Sequence, residues 1–211
     1  STKEYLKEYL KENFPNIKVI GVTGTNGKTT TCYLIWQMFK LLGVKCAYIG
    51  TLGFYLHQKV KDLINTTPGS IELFDLINEA ASKNYRYVVM EVSSQALSQE
   101  RVDFISFDYA IFTAGAKVSE KFAPIASENK CTVIDNSSFF RMHEDVPLIV
   151  PEVNFETIKD AKLIANPNCS TIQAVLPISV LNKHYGIKRI IYSTYQAVSS
   201  ASKKGIDDLI Q

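Results

Sequence analysis

The sequence predicts an α/β fold, a three-layer, doubly wound, mainly parallel sheet with helices on both faces. Three observations predict it. Short apolar runs at 19–22, 87–92 and 109–113 alternate with longer stretches of helical periodicity, the pattern of parallel strands joined by helical crossovers. The first run leads into Thr23-Gly24-Thr25-Asn26-Gly27-Lys28-Thr29-Thr30 and then directly into a helical stretch. The chain has 211 residues, 46% hydrophobic, which is enough for a sizeable core.

The elements follow in order. Residues 2–13 read as an amphipathic helix with Tyr5, Leu6, Tyr9 and Leu10 on one face, ended by Pro15 and Asn16. Residues 19–22 form a buried strand, and 30–42 a helix stopped by Gly43. A second strand covers 45–49, and 51–66 is a short β excursion. Residues 70–83 read as a helix: Pro68-Gly69 breaks the chain, Ser70 is placed to cap, and Glu72 lies in the first turn. Residues 87–92 and 109–113 read as buried strands. A helix at 119–129 carries Pro124 as a kink or early stop, and a strand follows at 131–135. Residues 147–153 read as extended, and their two prolines suit a sheet edge or a loop. A short strand at 163–165 precedes a helix over 169–185 that Pro177 interrupts. Residues 187–198 are a long β-rich run, and 204–211 a closing helix.

Composition narrows the function classes. Net charge is +2, and residues 1–113 and 114–211 carry near-equal shares of it (12 basic and 11 acidic, then 11 and 10). No polyanion-binding face is therefore expected beyond a phosphate pocket, and no nucleic-acid partner. No apolar run approaches the ~18 residues of a membrane span, and no signal-peptide pattern opens the chain. Cys32, Cys46, Cys131 and Cys169 form no C-x-x-C pair, and the three histidines suggest no zinc site. The expectation is a reducing, cytoplasmic setting, with three core cysteines and one reactive.

The loop carries the most specific chemistry. Successive N–H groups in such a turn face one phosphate, and the helix N-terminus adds partial positive charge. Lys28 would reach the terminal phosphates, and the Thr29 hydroxyl is placed to hold Mg²⁺. Val22 stands where the generic G-x-x-x-x-G-K-[ST] pattern has its first glycine. The bland alternative is a tight strand-to-helix turn that happens to contain Lys-Thr.

Four segments then line up with one family: GVTGTNGKTTT at 21–31, NTTPGS at 65–70, MEVSSQALSQERV at 90–102 and FDYAIFT at 107–113. Over residues 17–113 the chain resembles the central ATP-binding domain of the Mur ligases. It is most similar there to the ligase that adds the third residue to UDP-N-acetylmuramoyl-dipeptide (UDP-N-acetylmuramoyl-tripeptide synthetase) in peptidoglycan biosynthesis. The resemblance implies ATP and Mg²⁺ as cofactors, with Gly24, Thr25, Asn26, Gly27, Lys28, Thr29 and Thr30 around the phosphates. It implies that Glu91 holds the metal with Thr29, and that Thr66, Thr67, Ser93, Ser94 and Arg101 contact the nucleotide-sugar peptide. Read without the resemblance, Glu91 is a strand-end carboxylate satisfied by local N–H groups. Two departures stand out. The family has histidine where Gln95 stands, and asparagine followed by an acidic-histidine motif where Ala114-Gly115 stand.

The rest lines up with another family: TAGAKVSEKFAP at 113–124, VIDNSSFFRMHEDVPLIVPEVN at 133–154, ANPNCST at 165–171 and STYQAVS at 193–199. Residues 114–209 are similar to aspartate-semialdehyde dehydrogenase. The resemblance implies Cys169 as the thioacyl-forming nucleophile, next to Asn168. It implies Gln196 as the residue orienting the substrate, and Arg141 as a guanidinium for phosphate. On the residues alone, Cys169 is a core or helix-cap residue and Arg141 a solvated side chain. Ser199-Ser200-Ala201-Ser202 stands where the family has Ser-Gly-Ala-Gly, which crowds a close cofactor approach. The ligase-like loop occupies the place of the family's dinucleotide loop, so NADP is not the expected ligand.

The organisation expected is a ligase-like P-loop segment, 1–113, continued by a dehydrogenase-like, Rossmann-like segment, 114–211. The two form one composite domain joined within 107–115. The functional expectation is an engineered or artificial chimera that binds ATP or phosphate without a complete active site. An ATP-dependent muramyl-peptide ligase, an NADP-dependent aspartate-semialdehyde dehydrogenase and a non-catalytic scaffold are the alternatives. An unpaired strand over 187–198 would invite self-association.

Overall fold

In the computed structural model the described residues are 2–195, 197–198, 206–208 and 210. The chain divides into two compact units, residues 1–167 and 168–211.

The first unit opens with α1 (Thr2–Asn13), whose Leu6 and Leu10 are buried. The strand β1 (Lys18–Gly24) leads through the loop into α2 (Lys28–Leu41) and then to β2 (Cys46–Gly50). The excursion that follows is the hairpin β3 (Gly53–Tyr55) and β4 (Lys59–Lys61). Next come α3 (Ser70–Ser82), β5 (Tyr87–Val92), the single turn α4 (Ser94–Ser98) and β6 (Tyr109–Thr113). The remainder is α5 (Ala116–Glu128), β7 (Thr132–Asp135), α6 (Pro151–Asn154) and β8 (Leu163–Ala165). All eight strands join one sheet in the order β4-β3-β2-β5-β1-β6-β7-β8. The strands from β2 through β8 in that order run parallel, and β3 and β4 are antiparallel additions. From the centre the chain winds through α2 to β2 on one side and through α5 to β7 on the other. This is the doubly wound α/β architecture that the sequence predicts.

The period-2 alternation of the strands builds two apolar layers. On one face Val19, Ala47, Ile49, Val88 and Met90 pack with Leu73, Leu76 and Ile77 of α3 and with Leu6 and Leu10 of α1. On the other, Ile20, Val22, Tyr48 and Val89 pack with Cys32 and Trp36 of α2. Val22 registers with Ile111, so Phe112 points to the α3 face. There it joins Val133, Ala165 and Ala123 of α5 in a third cluster. Tyr109 and Ile134, on the α2 face, stay exposed, so the expected burial of β6 holds for one of its faces.

Several expectations are corrected. Gly69, not Ser70, is the N-cap of α3 and makes no side-chain cap; the Ser70 hydroxyl instead donates to the Arg101 carbonyl at 3.0 Å. Pro124 lies inside an uninterrupted α5, whose turns before the proline are anchored by buried Ser119 and Ala123. Residues 147–153 are extended only as far as Val150, with Leu148 bridging Ala165 at the sheet edge. Pro151 then opens α6 at the helix start, where its missing N–H costs nothing.

The second unit opens with α7 (Cys169–Tyr185), which continues through Pro177 and closes on left-handed Gly186. The β-rich run over 187–198 forms no strand among its described residues. β propensity supplies no ladder partner, and a strand without one leaves its backbone groups to water. Of the expected closing helix, residues 206–208 and 210 are helical and the others lie outside the described residues. Among the described residues no helix is long and apolar enough to cross a membrane.

Candidate functional site

The loop after β1 is shaped by two glycines for different reasons. Gly24 has φ 156°, and a Cβ there would stand 1.8 Å from the Thr113 hydroxyl oxygen. Gly27 has φ 80° with nothing within 4 Å, so the left-handed backbone rather than crowding calls for glycine. Gly27 is also the N-cap of α2, and no side chain caps the helix. The first-turn N–H groups therefore point at the loop's concavity, where an anion is favoured. The Thr113 hydroxyl faces the Thr23 carbonyl at 3.0 Å and the Asn26 carbonyl at 3.3 Å, tying the loop to the tip of the neighbouring strand. Lys28 folds back, its Nζ donating to the Gly24 carbonyl at 2.8 Å. Thr25, Asn26 and Thr30 are exposed around this turn.

Glu91, near the C-terminal end of β5, is 1% exposed. Its carboxylate collects donors on both oxygens. Oε1 accepts from the Tyr48 hydroxyl at 2.7 Å and from the Thr51 N–H at 2.8 Å. Oε2 accepts from the Thr29 hydroxyl at 2.8 Å and the Thr51 hydroxyl at 3.3 Å. No cation pairs with it among the described residues. Gly50 permits the approach, since a Cβ there would lie 2.3 Å from Oε1. Burial, then the carboxylate, pushes the Tyr48 phenol well above its ordinary range. Burial likewise raises the Cys32 thiol on α2, and Glu91 adds to it.

The 65–70 segment meets this cluster. The Thr66 and Thr51 hydroxyls are 3.0 Å apart. Thr67 is buried and holds the strand end, donating to the Glu91 carbonyl at 2.8 Å and accepting from the Ser93 N–H at 3.0 Å. Arg101 donates to the Thr67 carbonyl at 2.9 Å. The Ser93 hydroxyl caps α4 by accepting from the Ala96 N–H, and Ser94 beside it is exposed. Gly24, Gly27, Lys28, Thr29, Glu91 and Thr66 thus gather at the C-terminal edge of β1, β2 and β5. Thr67, Ser93 and Arg101 serve as the frame behind them.

Arg141, still in the first unit, bridges two strand ends. Its Nε donates to the Asn166 carbonyl and its Nη2 to the Asn136 carbonyl, both at 3.0 Å. Asn166 also donates to the Asn136 side chain at 2.7 Å. Close by in sequence, Asp135 is fully buried. It accepts from the Ser119 hydroxyl, from the Ser137 N–H at 3.1 Å and from the Ser137 hydroxyl at 2.7 Å.

In the second unit Cys169 is exposed at the first position of α7. Asn168 caps that helix, its Oδ1 accepting from Ser170 N–H at 2.9 Å and Thr171 N–H at 3.4 Å. The other three cysteines are buried, as the sequence reading expects. Burial pushes Cys46 up to about 12 and Cys131 up to about 11. Gln196 and the 199–202 loop lie outside the described residues.

Sequence reasoning missed Tyr48, Thr51, Thr113 and the Asp135 cluster. Tyr48 reads as an ordinary core strand residue, and its partner is 43 positions away.

Comparison with known proteins gives two sets of relatives. Residues 22–116 match the family model of the Mur ligase middle domain. The aspartate-semialdehyde dehydrogenase of Rickettsia bellii is 49% identical over 118 residues, 54% of this chain and 35% of its own length. That of Campylobacter jejuni is 46% identical over 137 residues, 64% of this chain and 38% of its own. The chain thus aligns with a little over a third of the length of these curated relatives. Among solved structures, aspartate semialdehyde dehydrogenase II from Vibrio cholerae has 30% identity and a TM-score of 0.56. It covers 92% of this chain and 51% of its own. A UDP-N-acetylmuramoyl-L-alanyl-D-glutamate–2,6-diaminopimelate ligase has a TM-score of 0.51 at 20% identity over 77% of this chain and 34% of its own, a likeness of fold. The chain therefore carries a hybrid resemblance, to the Mur ligase middle domain and to aspartate-semialdehyde dehydrogenase.

Proposed function

We propose that this chain is a chimera, engineered or artificial, that binds Mg-ATP or phosphate at the loop between β1 and α2. The observation that carries the reading is the Thr29 hydroxyl 2.8 Å from the buried Glu91 carboxylate, beside a glycine-shaped loop that opens an uncapped helix. Glu91 is acidic, buried and bonded only to hydroxyls and one N–H, so a cation adds charge compensation that the site otherwise lacks. Among the described residues no cluster of three His, Cys, Asp or Glu could hold a metal. One carboxylate with hydroxyls and phosphate oxygens suits Mg²⁺, which keeps several waters.

In this reading the loop N–H groups and the start of α2 bind the phosphates, and Lys28 leaves the Gly24 carbonyl to reach the terminal ones. Thr29 and Glu91 hold the metal. When bound, Mg²⁺ neutralises phosphate charge and orients the terminal phosphoryl group. Ala114 stands where the ligase resemblance implies asparagine, and the reading within these residues is one of binding rather than turnover. Titration calorimetry with ATP, with and without Mg²⁺, tests it. Saturable, Mg²⁺-enhanced binding that Lys28→Ala abolishes is expected. A folded protein with no heat of binding would overturn the reading in favour of a non-catalytic scaffold.

A second reading, thiol chemistry of the dehydrogenase type, is favoured by exposed Cys169 at the start of α7. It predicts alkylation near neutral pH faster than that of a free cysteine, as a nucleophile in a formed pocket requires. A rate equal to that of a free cysteine would count against it.

A further inference from the structure

We infer that Tyr48 is a positioning residue that decides which oxygen of Glu91 a divalent cation meets. The inference rests on the phosphate-site reading above. Tyr48 is fully buried and its ring is held edge-on by Tyr33 and Tyr55, with centroids 5.9 and 5.6 Å away. Its oxygen accepts from the Leu52 N–H at 3.4 Å while its proton goes to Glu91 Oε1 at 2.7 Å. The Thr51 N–H donates to that same oxygen at 2.8 Å. Oε1 is therefore engaged by two donors, one on the backbone and one on a locked ring.

Oε2 differs. Its donors are the hydroxyls of Thr29 and Thr51. A hydroxyl can rotate its proton away and offer a lone pair instead. Oε2 can thus turn toward a cation, with the Thr29 oxygen beside it as a second ligand, while Oε1 stays anchored. Carboxylate ligands are commonly aimed by partners behind them, and loss of such a partner weakens metal binding about 10–100-fold. Gly50 belongs to the same arrangement, because a Cβ there would stand 2.5 Å from the Tyr48 hydroxyl and 2.3 Å from Oε1. The competing view is that Tyr48 merely satisfies a buried hydroxyl. It predicts lower stability on removal of the hydroxyl and an unaltered response to metal.

The test is calorimetric titration of ATP in MnCl₂ and separately in EDTA, on wild type and Tyr48→Phe. A third protein carries 4-aminophenylalanine at position 48, which keeps ring and donor. Tyr48→Phe is expected to weaken Mn-ATP binding about tenfold while ATP in EDTA binds within about twofold of wild type. The 4-aminophenylalanine protein is expected to match wild type, and it reports even where Tyr48→Phe does not fold. An equal loss in MnCl₂ and EDTA, an unchanged Tyr48→Phe, or failure of the 4-aminophenylalanine protein to match would overturn the inference alone. Wild type that binds ATP no better in MnCl₂ than in EDTA would overturn the phosphate-site reading, and the inference with it.

Discussion

Thr113 and Gly24 are fitted to each other: the Thr113 hydroxyl oxygen occupies a point 1.8 Å from where a Cβ on residue 24 would stand. The end of β6 therefore shapes the first bend of the glycine loop after β1. Thr113 is also the residue at which the two resemblances meet, so the ligase-like loop depends on a strand tip shared by both segments.

Gly24→Ala is expected to destabilise the protein by about 2 kcal/mol or more, since it combines an unfavourable φ with a steric clash. Adding Thr113→Ala should restore little, because the Thr113 backbone carbon also lies 2.9 Å from the Cβ position. Urea denaturation of the single and double variants measures both.

Asp135→Ala leaves the Ser119 hydroxyl and the two Ser137 donors without their acceptor. Unsatisfied buried donors cost about 1–3 kcal/mol each. Relaxation of the hydroxyls should bring the total to about 3 kcal/mol. Asp135→Asn keeps one acceptor oxygen and should cost less. The difference between the two midpoints in urea separates lost hydrogen bonds from lost packing.

Iodoacetamide at pH 8 should modify the native protein at Cys169 and spare Cys32, Cys46 and Cys131, which are buried with raised thiol pKa. Intact mass spectrometry should show one adduct, none in Cys169→Ser, and four after unfolding. Rapid modification of a second cysteine in native protein would contradict the buried core around β2 and β7.

The Cys46 thiol predicts a stability loss in base. Its folded-state pKa is about 12 against an ordinary value of 9.0. The folded protein thus keeps a proton that the unfolded chain releases. This contribution is fully present below pH 9 and declines as pH rises from 9 towards 12, by about 1.4 kcal/mol per pH unit for one such group. Cys46→Ala should flatten thermal stability between pH 9 and 10.5 relative to wild type. An unchanged slope would show that other groups, Tyr48 among them, carry the alkaline loss.

The helices and most strands were legible because their cause is local. The apolar runs at 19–22 and 87–92, the stop at Gly43, the break at Pro68-Gly69 and the sequence TGTNGKTT are decided by residues adjacent in the chain. The same holds for Thr29 and Lys28, which follow from the turn that places them. Their partner Glu91 came from the resemblance, since on the residues alone it reads as a strand-end carboxylate. What failed was local preference that distant partners overrode. Ser70 has the chemistry of a cap, yet the Arg101 carbonyl, 31 positions away, takes its proton. Residues 187–198 have strand propensity and no strand among those described, because a ladder requires a neighbour that composition does not specify.

Amino-acid order therefore settled the class of fold, the glycine loop after β1 and the place of Cys169 at a helix start, while the exposure of that cysteine came from the structure. Folding settled the rest by bringing β2, β5 and β1 side by side. That order sets Tyr48, Thr51 and Thr29 around one carboxylate and lays the tip of β6 against Gly24. Hydrogen bonds act over about 3 Å, and only the folded sheet brings groups separated by 40 to 90 positions within that reach.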